Sequence, residues 1–387
     1  MPAEFLPGNR LTLLDSGGEF FPALIAAIDG AQHTVSLQTY IFEDDRSGRS
    51  VIEAMKRASA RGVVVRVLVD GFGAAHFPDA LMPELEAAGI QVLIYRREVA
   101  RFRLRRYRLR RLHRKLAVID GRIAFVGGIN IIDDHNQTPE NEWPRKDFAV
   151  RVEGPLLAPI QHTVSRLWSV VVRAGLRLQR HAGSGDKIQS APAGTQTAAF
   201  VVRDNIRHRR AIEDAYLDAI ADARSEIIIA CAYFLPGFRF RHALISAAAR
   251  GATVTVLLQG KIEHALQHYA TQALYRQLLS AGIRIFEYQR SYLHAKVAVI
   301  DGEWATVGSS NIDPFSLLLA KEANIVVRDR CFAEELRTSL TRVMREDAQE
   351  LLPATWQQLP WHSRLLRWMS YQLVRLAIGI TGYGGKL

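Results

Sequence analysis

The sequence runs through one pattern twice, and that repetition constrains the fold more than any other feature. Residues 58–71 read ASARGVVVRVLVDG, and residues 247–260 read AAARGATVTVLLQG. AAGIQVLIY, ending at Tyr95, returns as SAGIRIFEY, ending at Tyr288. LHRKLAVIDGRIAFVGGIN, from Leu112, returns as LHAKVAVIDGEWATVGSSN, from Leu293. Each set is preceded by an Ala-rich stretch of helical pattern (residues 23–31 and 211–223) and an apolar run, VSLQTYIF or EIIIACAYF. Helix therefore alternates with strand, and near-continuous Val/Ile runs are those of strands buried on both faces. The pattern predicts an α/β protein of two tandem domains related by a pseudo-two-fold axis, with mixed or parallel sheets flanked by helices. The expected divisions are a first domain over 1–182, a Gly/Ser/Ala/Pro/Thr-rich linker over 183–197, a second domain over 198–350 and a tail over 351–387.

Both halves carry His-x-Lys-x4-Asp-Gly, as His113, Lys115, Asp120 and as His294, Lys296, Asp301. Matching blocks follow, with Gly127, Gly128, Asn130 in one half and Gly308, Ser309, Asn311 in the other. On a strand, residues i and i+2 share a face, so each His and Lys point together. A single His-x-Lys would be noise; two copies at identical spacing are a signal. The candidate catalytic set is thus His113, Lys115, Asp120, His294, Lys296 and Asp301. Each Asp falls at a strand end, a place that suits bracing a turn better than chemistry. Asn130, Asn311 and Ser309 are the candidate substrate-binding residues. Lysine and amide donors suit the non-bridging oxygens of a phosphodiester. One imidazole can attack phosphorus while the other protonates the leaving alkoxide. Fixed cations then stand in for a metal, and no cofactor is called for. Asp147 and Glu322 both open apolar runs downstream of a motif, and a carboxylate on a neighbouring strand can hold each ring's second N–H.

Charge is concentrated. The chain has 387 residues and a net charge of +11, of which residues 96–115 (RREVARFRLRRYRLRRLHRK) carry +10. The distance from Tyr95 to His113 exceeds that from Tyr288 to His294 by 12 residues, so this arginine segment (96–111) is an insertion in one repeat only. So dense a cluster points to a polyanion, either an anionic lipid surface or nucleic acid. Two cysteines without metal-ligand spacing exclude a disulfide scaffold and suit a reducing location. No basic n-region precedes an apolar core at the N-terminus, and no run reaches the roughly 18 apolar residues of a membrane span. In residues 355–387, Trp356, Trp361 and Trp368 mix with Leu and Arg, the composition of a helix lying at a membrane interface, or of a helix docked on its own domain.

The duplicated His-x-Lys-x4-Asp followed by GGxN or GSxN resembles the phospholipase D superfamily, over about residues 11–345. LQTYIFEDD, VDGFG at Asp70, the RKxxVIDGRIAFVGGIN block and EGP at Glu153 make it similar, within that superfamily, to the bacterial cardiolipin synthases of the B type. The resemblance implies transfer of a phosphatidyl group from one phosphatidylglycerol to another through a phosphohistidine, with His113 as nucleophile and His294 as acid, then base. It implies a peripheral enzyme on the cytoplasmic face of the bacterial inner membrane, with phosphatidylglycerol and an anionic membrane surface as partners. A nuclease of the same superfamily would account for the motif and the charge but would leave the tail without a task, so nucleic acid is the weaker reading. A non-enzymatic membrane-binding protein would have no need of two intact His/Lys pairs. The acceptor (phosphatidylglycerol, the ethanolamine lipid or water) stays open at the level of sequence.

Overall fold

The computed structural model describes residues 3–96, 111–135, 143–174, 188–204, 208–313, 320–357 and 360–378. The arginine insertion falls almost wholly on residues 97–110, outside the described residues.

In the first half the strands are β1 (Leu6–Asp15), β2 (Thr34–Thr39), β3 (Val64–Asp70), β4 (Gln91–Tyr95), β5 (Arg111–Leu112), β6 (Lys115–Ile119), β7 (Ile123–Gly127) and β8 (Phe148–Glu153). In the second they are β9 (Gln196–Arg203), β10 (Glu226–Cys231), β11 (Thr253–Gln259), β12 (Arg284–Tyr288), β13 (Lys296–Ile300), β14 (Trp304–Gly308), β15 (Ala320–Arg328) and β16 (Ala348–Glu350). Their order across the sheet is β16-β12-β11-β10-β13-β14-β15-β9-β1-β8-β7-β6-β2-β3-β4, with β5 joined to β15 from outside that path. Read outward from the β1/β9 pair, each half repeats the order of the other, and the antiparallel β1/β9 contact lies where a pseudo-two-fold axis must pass. The β2-β3-β4 and β10-β11-β12 ladders are parallel and the rest of the path is antiparallel. The sheet is therefore mixed, as the sequence pattern predicts.

The halves do not stand as two separately cored bodies. Across the middle β1 meets β9 at Leu6 with Ala198 and at Asn9 with Gln196, flanked by seven register pairs between β9 and β15 and six between β1 and β8. One buried cluster draws Leu11, Leu116, Val126 and Val150 from the first half, and Leu293, Val297, Val307 and Ile325 from the second. Each large apolar side chain so buried contributes about 1.5–3 kcal/mol. Separate clusters fill the outer face of each half beneath its own helices. Of the expected linker, Gln196 and Thr197 already belong to β9.

Local sequence accounts for the elements. All five residues of β6 (KLAVI) and of β13 (KVAVI) are buried, the requirement met by their Val/Ile/Leu content. Asp45 caps helix Arg46–Ala60 by accepting from Gly48 N at 2.8 Å, and Asp329 caps helix Arg330–Glu346 by accepting from Phe332 N at 2.9 Å. No helix among the described residues is long and apolar enough to cross a membrane. The tail forms helix Trp361–Ile378, which docks on helix Ala265–Gln272 through Ser370 and Val374. Arg367 ties the two by donating to Gln272 Oε1 at 2.9 Å. The other side of that helix leaves Trp361, Leu365, Trp368, Met369, Leu373 and Leu376 exposed. The docked-helix expectation thus describes one face of the tail, and the other is apolar and exposed.

Candidate active site

The Asp of each motif closes a turn. Asp120 and Asp301 have φ of 52° and 53°, each followed by a glycine that also has positive φ. Asp-Gly supplies this left-handed pair at low cost. Asp120 accepts backbone N–H bonds from Gln32, His33 and Thr34, each at 2.8 Å. Asp301 does the same for Arg224, Ser225 and Glu226 at 2.8, 2.8 and 2.9 Å. Both carboxylates thus lock the β6–β7 and β13–β14 turns to the strand starts of β2 and β10. Their place in the candidate catalytic set is corrected: their oxygens are spent on backbone donors at the strand end away from the motif's His and Lys.

The histidines lie just before β6 and β13, held by backbone from the opposite half. His113 N donates to Lys321 O at 3.1 Å, next to the short parallel pairing of β5 with β15. His294 N donates to Lys146 O at 2.8 Å, where Lys146 also bridges Leu293. The residue before each histidine is pinned as well. Leu112 N donates to Asp70 Oδ2 and Leu293 N to Gln259 Oε1, both at 2.7 Å. Asp70 and Gln259 occupy the same place in the repeat, VDG against LQG.

Carboxylates and rings pair across the halves. His113 Nδ1 stands 3.0 and 3.1 Å from the oxygens of Glu322, and His294 Nδ1 stands 2.6 Å from Asp147 Oδ2. Asp147 and Glu322, the expected orienting residues, thus each stand within hydrogen-bond distance of the histidine of the other half. Because a carboxylate accepts, Nδ1 carries the proton and the Nε2 lone pair is left for chemistry. The side chains of His113 and His294 are 16% and 13% exposed, so both rings remain reachable. Tyr40 sets its ring edge-on against His113, with centroids 4.9 Å apart.

Burial dominates the electrostatics. It pushes His113 below its ordinary value, against the pull of Glu322, and His294 well below, helped by the charges of Lys296, Arg145, Lys115 and His113. The cross-half hydrogen bonds of the two rings bring both pairs together at the seam. Burial drives Lys115 down to about 7 and lowers Lys296 too. Each lysine meanwhile donates to the main-chain oxygen of its own motif's histidine, Lys115 at 2.6 Å. Burial raises Asp147 to about 6. Glu322 feels the same burial, but His113, Lys115 and Arg203 outweigh it and hold this carboxylate below its usual range. Arg203 is its register partner across β9 and β15.

The remaining candidates divide. Asn130 Oδ1 accepts from Ile41 N at 3.1 Å, and its buried Nδ2 has no protein partner among the described residues, a donor free for an anion. Asn311 is also buried, with Cys231 Sγ 3.9 Å from its Oδ1. Ser309 is fully buried and donates from Oγ to Glu322, so it serves the carboxylate rather than a substrate. Sequence reasoning missed Tyr40, Asp70, Gln259 and Arg203. The aligned repeats set Asp70 opposite Gln259, but nothing in their spacing gave either residue a task.

Two imidazoles with free Nε2 atoms, two buried lysines and one site built from both halves define a protein of the phospholipase D type. The family model described as "Cardiolipin synthase, PLD-like domain" matches the chain twice, over residues 24–142 and 216–344. Cardiolipin synthase B of Escherichia coli (strain K12) is 36% identical over 393 residues, covering 99% of this chain and 92% of that one. Cardiolipin synthase B of Salmonella typhi is 37% identical over 384 residues, with the same coverage of 99% and 92%. Among solved structures, phosphatidylserine synthase of Haemophilus influenzae Rd KW20 shares the fold, with a TM-score of 0.71 at 13% identity over 98% of this chain and 97% of that one. The chain belongs to the PLD-like cardiolipin synthase family.

Proposed function

We propose that this protein is a cardiolipin synthase, a phosphatidyltransferase that joins two phosphatidylglycerols and releases glycerol. The observation that carries the reading is the pair of histidines, each fixed through Nδ1 by a carboxylate of the other half, in a chain similar along its length to cardiolipin synthases B. In the first step His113 Nε2 attacks the donor phosphorus. The bond from phosphorus to the glycerol oxygen breaks, and His294 delivers a proton to that oxygen. In the second step a hydroxyl of the acceptor lipid attacks phosphorus, its proton passes to His294, and the P–N bond breaks with its electron pair returning to His113. Lys115, Lys296 and Asn130 offer donors to the charge that builds on the non-bridging oxygens.

The exposed apolar side of helix Trp361–Ile378, with Arg364 and Arg375 on the same helix, supports peripheral attachment to an anionic bilayer. The arginine-rich insertion before His113 adds to that attraction, by about 1 kcal/mol per basic residue near the surface. The cytoplasmic face of the inner membrane fits a basic protein that carries two unbridged cysteines.

The test is direct. Purified protein with phosphatidylglycerol liposomes should yield cardiolipin and free glycerol in equal amounts. His113→Ala and His294→Ala should each lower turnover at least about 10⁴-fold, since each ring has its own task. Phosphatidic acid as the sole product would make the protein a hydrolase, and near-wild-type synthesis by either variant would end the two-histidine scheme.

A further inference from the structure

Arg145 has no task in the scheme above. It is 7% exposed and is not within ion-pair distance of any carboxylate among the described residues. Only its backbone N–H is engaged, donating to Asp134 O at 3.2 Å. The guanidinium makes no hydrogen bond there either, although an unpaired buried cation is costly. Arg145 stands two residues before Asp147 on an extended segment, so its side chain shares the face from which Asp147 reaches His294. Its charge is felt at His294, Lys296 and Asp147, which locates it at the His294 end of the site.

The repeat gives this cation no counterpart. Lys146 and Lys321 are equivalent, since their carbonyls receive His294 N and His113 N. The residue before Lys321 is Ala320, so one end of the site has an arginine where the other has a methyl group. Arg203, on the Ala320 side, directs Nη2 at Ala320 O at 2.6 Å and sits across from Glu322. Arg203 is a buried cation too, with Nε and Nη1 lacking a hydrogen bond among the described residues, but it stands on β9 across from Glu322; at the repeat position of Arg145 itself only one side carries a cation.

The geometry points to Arg145 as the binding residue for a second phosphodiester, that of the acceptor lipid. This rests on the phosphatidyl-transfer reading. In that reading the departing glycerol and the incoming acceptor hydroxyl both meet His294. The donor's glycerol ends in hydroxyls, but the acceptor's glycerol carries a phosphodiester at its far end. An anion therefore arrives on the His294 side only in the second step. An Arg fork there matches it in charge and in bidentate geometry. The two lysines remain with the reacting phosphate.

The experiment uses the full chain, phosphatidylglycerol as donor, and two soluble acceptors that differ in the anion: glycerol, and glycerophosphoglycerol, the deacylated headgroup. Arg145→Gln should lower kcat/KM for glycerophosphoglycerol at least tenfold more than kcat/KM for labelled glycerol in the exchange reaction, any change from the charge lost beside His294 being common to both acceptors. Arg145→Lys, which keeps the charge without the fork, should fall between it and the wild type. Equal loss with both acceptors in Arg145→Gln and Arg145→Lys would assign the residue to the reacting phosphate or to the fold, and would overturn the proposal. Unchanged kcat/KM in both variants would overturn it as well. A wild-type protein that transfers to neither acceptor would instead remove the phosphatidyl-transfer reading itself, an outcome separate from the other two.

Discussion

Asp147 and Glu322 hold equivalent stations in the two halves, yet the surroundings of one carboxylate differ from those of the other at nearly every contact. Glu322 is one methylene longer, receives a hydrogen bond from Ser309 Oγ and lies beside the buried Arg203. Asp147 has Gly128 where Glu322 has Ser309, and a Cβ on Gly128 would come within 2.3 Å of Asp147 Oδ1. The shorter acid is reached by closing the backbone down on it, and only glycine leaves the room. The longer acid stands off far enough for a serine, whose hydroxyl fills the gap. The outcome is one carboxylate held below its usual range and another pushed up to about 6 by burial. A duplicated fold can thus keep its geometry while the two sides drift apart in proton affinity, as a reaction with unequal histidines requires.

The largest test of that comparison removes the carboxylates one at a time. Glu322→Gln and Asp147→Asn should each lower kcat by about 10³–10⁴-fold, as when an orienting acid of a triad is neutralised. Histidine NMR should show the crossing: Glu322→Gln disturbs the titration of His113, and Asp147→Asn that of His294. A disturbance of the histidine in the same half would break the assignment. A smaller effect should come from exchanging the neighbours. Gly128→Ser forces the Asp147 carboxylate aside and should cost roughly 10²-fold in kcat/KM. Ser309→Ala removes one charge-assisted hydrogen bond, worth about 1.5 kcal/mol, and should cost roughly tenfold. Equal losses would mean that the two sides are interchangeable after all.

The smallest expected effect is in the pH profile of kcat/KM, which reports groups of the free enzyme. Burial lowers both histidines, so the limb on which the nucleophilic ring loses its proton lies on the acid side of 6.5. Lys115 loses its cation through about pH 7 rather than near 10.5, so the alkaline limb lies near neutrality. Lys115→Arg keeps a cation there and should carry that limb upward by about one pH unit, with little change in rate at pH 6. An alkaline limb that stays in place would belong to the protonated histidine instead.

Much of this site was legible in the sequence, for a physical reason: strand periodicity of two puts His and Lys on one face whatever the rest of the chain does. Asp147 and Glu322 were legible as residues. Their partners were not, because spacing within a half is silent about which strand lies across the seam. The crossing depends on the β5–β15 and Lys146–Leu293 pairings, made between segments far apart in the chain. The continuous sheet was hidden for a similar reason, since β1 meets β9 at only two register pairs, Leu6 with Ala198 and Asn9 with Gln196. Asp120 and Asp301 look catalytic because they recur with the motif, but they recur because both copies need the same turn. Arg145 and Arg203 belong to no motif. Each matters through the absence of an equal in the other repeat, a signal that searching for likeness passes over.

The core shared by the two halves has a kinetic consequence. Enzymes that sit between two bodies commonly open like jaws to change occupants, but here one core is shared by both halves and short strand pairings tie them across the seam. Such a seam predicts a seat of fixed width between the histidines. In the proposed reaction glycerol would then have to leave His294 before the next lipid headgroup takes its place. Alternation, which other enzymes enforce by moving, would here follow from stiffness.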